Sequence, residues 1–365
     1  MSTHDLYTIP AEHATWDVGM QGAARFTWEY DDQRDRLLSL YQKGKDKQWD
    51  QVHRIDWDTE VEPHDVLGLP VETISIYGTD QWDRIKNDQV AIDELSLHLT
   101  SWQFSQFLHG EQGAMICSAR IVESVPDLDA KFYAATQTMD EARHAETYSR
   151  FLQDKVGLLY PINTHLKSLL DDTLSDSRWD MPYLGMQVLI EGLALAAFGV
   201  LRDMTTKPLP KQILAYVMQD EARHVAFGRM ALKDYYSQLT SKEREDFVVE
   251  GCYLMRDRFR QQEVWENLGF DVPACLEAVK NAPYYQAYQS LLFSRIVPCV
   301  KDVGLWGDKV QKAYADMGVL DMAGVDLNAL MKQDEDIAEQ IDVEKAETAA
   351  SAIVVDQTIE LGRTA

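Results

Sequence analysis

MDEARHAE, residues 139–146, returns eighty residues later as QDEARHVA, residues 219–226. In each copy a Glu and a His stand three positions apart, so one helical turn presents both on one face. Counting backward from each copy gives a second regularity. Glu111 precedes Glu141 by thirty residues, and Glu191 precedes Glu221 by thirty. The midpoints are Pro126, in SVPDLD, and Thr206, in TTKPLP, both turn-forming stretches. Residues equidistant from the turn of an antiparallel hairpin lie at one height, here about 15 residues or roughly 22 Å of helix from the turn. Two such hairpins packed together make a four-helix bundle. Four carboxylates and two imidazoles then converge inside it, which is the ligand pattern of a carboxylate-bridged dimetal site.

The third of these helices makes the same point energetically. Leu184 to Leu201 is an apolar run broken mainly by Gln187 and Glu191. A buried, unpaired carboxylate costs several kcal/mol and tends to take up a proton. A pair of metal cations removes that cost, so Glu111, Glu141, His144, Glu191, Glu221 and His224 are the candidate metal ligands. Oxygen-rich ligation with two histidines suits iron or manganese better than structural zinc. Asp140 and Asp220 precede the ligand glutamates. A metal-bound His usually gives its other ring N–H to a carboxylate, and a crossed pairing is expected, Asp140 with His224 and Asp220 with His144. Arg143 and Arg223 are expected to offset the two aspartates.

The chain has 365 residues, enough for one large domain or two small ones. Its net charge of −25 argues against nucleic acid and against an anionic membrane surface as partners. The 184–201 run is about long enough to span a membrane, yet Glu191 at its centre makes it a buried core helix, so no membrane span is expected. Cys117, Cys252, Cys275 and Cys299 show no C-x-x-C spacing, which points to free thiols and a cytoplasmic location.

Four domains or segments are expected. Residues 1–90, rich in Trp, form an N-terminal arm packed on the core. Residues 91–240 form the bundle, with helices over 92–124, 127–155, 181–204 and 209–238 and a less regular link before the third. Residues 241–330 add helices over 242–268, 272–299 and 304–317. Residues 331–365 form an acidic tail, expected to be loosely held. Strand signals are nearly absent. The run Lys43, Lys45, Lys47 reads as a solvated helix face. Met115, Leu195, Phe198 and Met218, one turn from ligand glutamates, read as core, and in an oxygenase can line a pocket as well, with Phe107 and Leu108 similar. His98 and His109 fall on the first bundle helix, and His109, two residues from Glu111, reads as pointing away from the metal face.

At the doubled DE-x-RH and its paired glutamates, about residues 92–238, the chain resembles the ferritin-like di-iron carboxylate superfamily. Within it the motif looks most like dioxygen-activating oxygenases: multicomponent monooxygenase hydroxylases, benzoyl-CoA epoxidase-like enzymes and p-aminobenzoate N-oxygenase-like proteins. The resemblance implies terminal carboxylates at Glu111 and Glu191, bridging or mobile ones at Glu141 and Glu221, and paired imidazoles at His144 and His224. Departures are specific. The hydroxylases' Thr one turn after the third-helix Glu is Leu195 here. The N-oxygenases' additional His one turn before the last Glu is Val217. The desaturases' paired EE is Asp140-Glu141. Tyr148 resembles in position the radical tyrosine of a class I ribonucleotide reductase small subunit, and reads here as a core tyrosine that hydrogen-bonds a ligand.

The expected fold is all-α, a ferritin-like four-helix bundle with an N-terminal arm and extra C-terminal helices. The expected function is a dioxygen-dependent monooxygenase with two iron ions (Fe/Fe, or Mn/Fe), hydroxylating or N-oxygenating a small or medium organic substrate in an apolar pocket. With no cysteine cluster and no G-x-G-x-x-G loop, an external reductase or ferredoxin is implied, and the resemblance implies a homodimer. The alternatives are a radical-generating subunit, a desaturase-type oxidase or ferroxidase, and a metal-binding helper without dioxygen chemistry.

Overall fold

A computed structural model describes residues 3–8, 17–19, 22–28, 30, 34–236, 242–258 and 260–364. The longer helices are α1 (Asp35–Asp46), α2 (Gln89–Ser124), α3 (Leu128–Phe151), α4 (Thr164–Ser175), α5 (Asp180–Met204), α6 (Pro208–Tyr236), α7 (Lys242–Arg258), α8 (Val272–Asn281), α9 (Pro283–Asp302), α10 (Asp308–Asp316) and α11 (Leu327–Thr364). Among the described residues there is no strand, only an isolated bridge between Tyr7 and Leu159. The fold is all-α, a ferritin-like four-helix bundle. Helices α2 and α3 form one hairpin, α5 and α6 the other, and α3 lies against α6.

Local chemistry sets the ends of these helices. Asp88 accepts hydrogen bonds from the Val90 and Ala91 N–H groups (3.1 and 3.2 Å) and caps α2. Asp127 caps α3 through the Ala130 N–H at 2.8 Å, directly after Pro126 has stopped α2 from continuing. Helix α6 begins at Pro208, where a proline's missing N–H costs nothing. The turn before it is tied to the arm by the Thr205 hydroxyl, which donates to the Leu67 carbonyl at 2.8 Å.

Helix α5 is long and apolar enough to cross a membrane, but it is a core helix, with 78% of its apolar window buried inside the protein. Over Tyr183–Ile190 it winds as a wide π-type turn that ends at Glu191. Such widenings recur at functional sites. Gly228 on α6 permits close approach there, since a Cβ on it would fall 2.4 Å from the Gln187 Cβ.

The outer elements differ from the sequence expectation in several places. The link before α5 contains a full helix, α4, capped by Asn163. The expected helix over 272–299 divides at Ala282, because Pro283 opens α9, and that over 242–268 divides into α7 and a short helix, Gln262–Asn267. The expected end of α6 at 238 lies outside the described residues. The acidic segment after Met331 is helical, part of α11, and its stretch from Asp334 to Asp342 is tied to the rest of the fold. Its anchor is Asp334, buried between Arg202 (3.1 Å) and Arg295 (2.7 Å). Farther along, Asp342 meets Arg54 and the Tyr216 hydroxyl at 2.8 and 2.7 Å. The lysine run on α1 is not a purely solvated face either, since Lys43 and Lys47 meet Glu335 and Glu339 on α11 at 2.7 and 2.8 Å.

Candidate metal centre

Each bundle helix carries part of one buried cluster: Glu111 on α2, Glu141 and His144 on α3, Glu191 on α5, Glu221 and His224 on α6. Ligand atoms of Glu111, Glu141, His144 and Glu221 all lie within 4.8 Å of one another, and so do those of Glu141, Glu191, Glu221 and His224. Glu141 and Glu221 belong to both groups, the position of bridging carboxylates between two ions. The imidazole Nδ1 atoms face inward: His144 Nδ1 is 2.9 Å from Glu221, and His224 Nδ1 is 3.0 Å from Glu141. The ring centroids are 5.9 Å apart.

The outer nitrogens meet the aspartates across the bundle. His144 Nε2 is 3.0 Å from Asp220, and His224 Nε2 is 3.2 Å from Asp140. Arg143 donates to both aspartates (2.5 Å to Asp140, 2.8 Å to Asp220), and Arg223 donates to Asp220. Each imidazole is thereby held as an Nε2 donor with Nδ1 free to face the cluster.

Electrostatics of the metal-free cluster are strained. Burial, then the charge of Glu221, raises Glu111 well above the usual carboxylate range. Burial, then Glu141 and Glu221, does the same to Glu191. Burial also opposes ionisation of Glu141, but His224 and His144 outweigh it and hold it low. Both histidines are raised well above their ordinary value, the carboxylate partners overcoming burial. Glu141 Oε2, Glu191 Oε2, Glu221 Oε1 and His224 Nδ1 are buried without an aligned hydrogen bond, and all but Glu191 Oε2 meet only another member of the cluster, at 2.9–3.3 Å. An orphaned buried polar atom costs about 1–3 kcal/mol, more when charged. A pair of cations fits as the common partner of these inward-facing atoms, and the oxygen-rich donor set suits iron or manganese.

A family model for the p-aminobenzoate N-oxygenase AurF matches residues 30–304. The chain belongs to this p-aminobenzoate N-oxygenase family. The family places it among the oxidoreductases and brings dioxygen and an organic substrate with it. The position where the sequence comparison looked for the N-oxygenases' additional His is Val217, fully buried in the core. Among solved structures, the chain is similar to a mutant R2-like ligand-binding oxidase with anaerobically reconstituted Mn/Fe cofactor (17% identity, TM-score 0.46, covering 76% of this chain and 98% of that one). It is also similar to an R2-like ligand-binding oxidase with aerobically reconstituted Mn/Fe cofactor (16% identity, TM-score 0.41, covering 83% and 99%). No curated protein matches its sequence.

Three residues of the centre were not singled out from the sequence. Gln137, one turn before Glu141, donates to Glu141 at 2.9 Å and to Glu191 at 2.7 Å. Its spacing from Glu141 was the available signal. Trp49 of the arm donates its indole N–H to Asp220 at 2.7 Å, and Gln48 donates to Asp140 at 2.7 Å. Trp49 thus ties the arm to the centre, and nothing local in the sequence marks it. Tyr148 is fully buried, but its hydroxyl has no hydrogen-bond partner, so it does not bond a ligand as expected. Burial, then Glu111 and Glu221, pushes its pKa well up. It packs with Phe107 and Phe198, ring centroids 5.8 and 5.9 Å away. Leu195 and Met218 are core as expected, while Phe107 and Phe198 also line a cavity. His109 bonds the Tyr160 carbonyl at 2.9 Å and His98 the Tyr160 hydroxyl at 2.6 Å, both apart from the cluster.

That cavity, about 610 Å³, reaches the cluster at Glu111, Glu191 and Glu221. Its wall near them is apolar: Ala114, Ile190, Ala194, Ala197 and the two phenylalanines.

Proposed function

We propose that this protein is a dioxygen-dependent di-iron monooxygenase acting on an organic substrate held in the cavity beside Glu111, Glu191 and Glu221. The observation that carries the reading is the junction of two features: a buried six-residue cluster with inward-facing ligand atoms, and a large apolar cavity opening onto its carboxylate edge. A storage or helper protein has no use for that junction. The family's description names an aryl amine, p-aminobenzoate, which favours N-oxygenation over hydroxylation.

Glu111, Glu141, His144, Glu191, Glu221 and His224 would hold the metals. When bound, two irons supply electrons and open coordination positions for reducing dioxygen. The chain's own groups do the rest. Asp220 and Asp140 hold the Nε2 protons of His144 and His224, fixing which nitrogen faces the cluster. Gln137 ties Glu141 to Glu191 and orients one free oxygen of each. Phe107 and Phe198, with centroids 4.5 Å apart, keep water from the cluster's flank. The cavity holds the substrate against the carboxylate edge. An external reductase or ferredoxin supplies electrons, the four buried free thiols suit a cytoplasmic setting, and the assembly is a homodimer.

The test is dioxygen uptake by the iron-loaded, chemically reduced protein. Uptake that Glu141→Ala abolishes supports the reading. Metal binding with no dioxygen consumption, with or without candidate amines, overturns it.

A further inference from the structure

The cavity is a channel that runs outward from the metal cluster along two helices. On α5 its lining passes from Glu191 through Ala194, Ala197 and Phe198 to Leu201, ten residues or roughly 15 Å of helix. On α2 it passes from Glu111 through Phe107, Gln103, Thr100 and Ser96 to Asp93, eighteen residues or roughly 27 Å. Exposure rises in the same direction. Glu111 and Phe107 are buried, Gln103, Thr100, Ser96 and Asp93 are half-buried, and Gln89 at the mouth is exposed. A Cβ on Gly110 would meet nothing within 4 Å, so the α2 wall is open beside Glu111.

Two glutamines on this wall differ. Gln106 is engaged by the scaffold: its Nε2 donates to the Pro161 carbonyl at 3.1 Å, and its Oε1 accepts from the Asn163 N–H at 2.7 Å. Gln103, one turn farther out, lines the channel half-buried and makes no hydrogen bond among the described residues. Its amide is open to a ligand as donor or acceptor. Among the described residues no Lys or Arg lines the cavity. A carbonyl oxygen at this level therefore meets a neutral donor, which serves an acid, an amide or an ester alike.

The spacing fits an aryl amine. A ring with an amine at one end and a carbonyl para to it spans roughly 6–7 Å from nitrogen to oxygen by ordinary bond lengths. Gln103 stands eight residues outward of Glu111, roughly 12 Å along α2. With its nitrogen one contact, about 3 Å, from the carboxylate edge, the carbonyl oxygen lies about 10 Å out, within reach of the Gln103 amide. The ring then packs on Phe107 and Phe198. From Gln103 to Asp93 a further ten residues of α2 remain lined, roughly 15 Å, and Ile92, Leu99, Leu69 and Val71 give the channel apolar wall besides. A free aminobenzoic acid leaves that outer length unfilled.

We propose that the substrate is an aryl amine carried on a larger molecule, with its amine at the metal edge, its para carbonyl on Gln103 and the group joined to that carbonyl in the outer channel. The proposal rests on the N-oxygenating reading for the orientation of the amine, while the preference for length is a property of binding and is read without turnover. Gln103 is its specificity-determining residue.

The experiment is isothermal titration of the iron-loaded protein, kept anaerobic, with p-aminobenzoate, p-aminobenzamide, N-hexyl-p-aminobenzamide and p-ethylaniline. The first two probe the charge of the carbonyl group at one length, and the hexyl amide adds length alone. The hexyl amide is expected to bind at least about tenfold more tightly than p-aminobenzamide, since six buried methylene groups outweigh the cost of ordering the chain. Ser96→Trp, in the outer channel, is expected to bring that ratio below about threefold, and Leu99→Trp gives the same readout should Ser96→Trp fail to fold by circular dichroism. Gln103→Leu is expected to weaken the three carbonyl probes by roughly 3–10-fold relative to p-ethylaniline, the scale of one hydrogen bond, with Gln103→Met as the second variant. A hexyl amide that binds no more tightly than p-aminobenzamide overturns the proposal. So does a ratio that both tryptophan variants leave intact, an equal effect of the Gln103 variants on all four probes, or absence of binding by all four. Dioxygen uptake by the reduced protein is measured separately, so failure of the oxygenase reading and failure of the length preference give different results.

Discussion

Gln137 is a single neutral side chain between two carboxylates, and its loss should be felt by both. Gln137→Ala removes two hydrogen bonds to groups that are charged once metal is bound, each worth about 1.5–3 kcal/mol. The expected result is a loss of metal affinity of roughly 10–100-fold with the helical content unchanged, the scale typical of groups that support metal ligands. Competition with a chelator measures it. Asp220→Asn should act similarly, because an amide can offer its N–H to His144 Nε2 and upset the tautomer that the carboxylate enforces. Protons compete with metal in this cluster. Glu111 and Glu191 are raised in the metal-free protein and hold protons to higher pH than ordinary carboxylates. Metal uptake should therefore release protons and weaken as pH falls through that raised range. Titration in two buffers of different ionisation enthalpy checks this, and equal heats in both would count against it. At this scale the period of the helix made the six side chains readable, since the doubled motif and the thirty-residue spacing place them at one level. Trp49 and Gln48 were not readable, because their contacts to Asp220 and Asp140 join positions 171 and 92 residues apart.

At the scale of elements, one contact inside the bundle and one outside it show how the helices are held. Helix α6 meets the π-type segment of α5 where Gly228 faces Gln187. Gly228→Ala forces a Cβ into space already filled, and should cost about 1–3 kcal/mol, the range for overpacking a core. Thermal unfolding measures it. Helix α11 is held by Asp334 between Arg202 and Arg295. Breaking a buried ion pair by deleting one partner costs about 3–5 kcal/mol, so Asp334→Ala should be strongly destabilising in urea unfolding. Lys43→Ala, which removes a partly exposed pair with Glu335, should cost no more than about 1 kcal/mol. That contrast explains why α11 departs from its sequence reading. Its acidic, Ala-rich composition resembles a solvated tail, and the arginines that fix it come from α5 and α9. The π-type turn was likewise invisible, since no residue pattern distinguishes it from a regular apolar helix. The division at Pro283 was visible in principle, because a proline favours an extended residue before it.

For the whole molecule, the bundle acts as a container for cations. Its −25 net charge includes four carboxylates gathered at one buried point, an arrangement that costs stability until metal fills it. Removing metal should lower the melting temperature, and restoring it should raise the temperature progressively with free metal concentration. Differential scanning calorimetry across a metal titration follows this. The central claim is the dimetal centre, and its most direct measurement is metal stoichiometry. The protein would be reconstituted anaerobically with iron, freed of loosely bound ions, and assayed by elemental analysis beside Glu141→Ala and His224→Ala. Two irons per chain are expected in the parent protein and a clear loss in both variants, most complete for Glu141→Ala because Glu141 serves both positions. Retention of near-full occupancy in both variants, or less than one iron per chain in the parent, would contradict the dimetal centre.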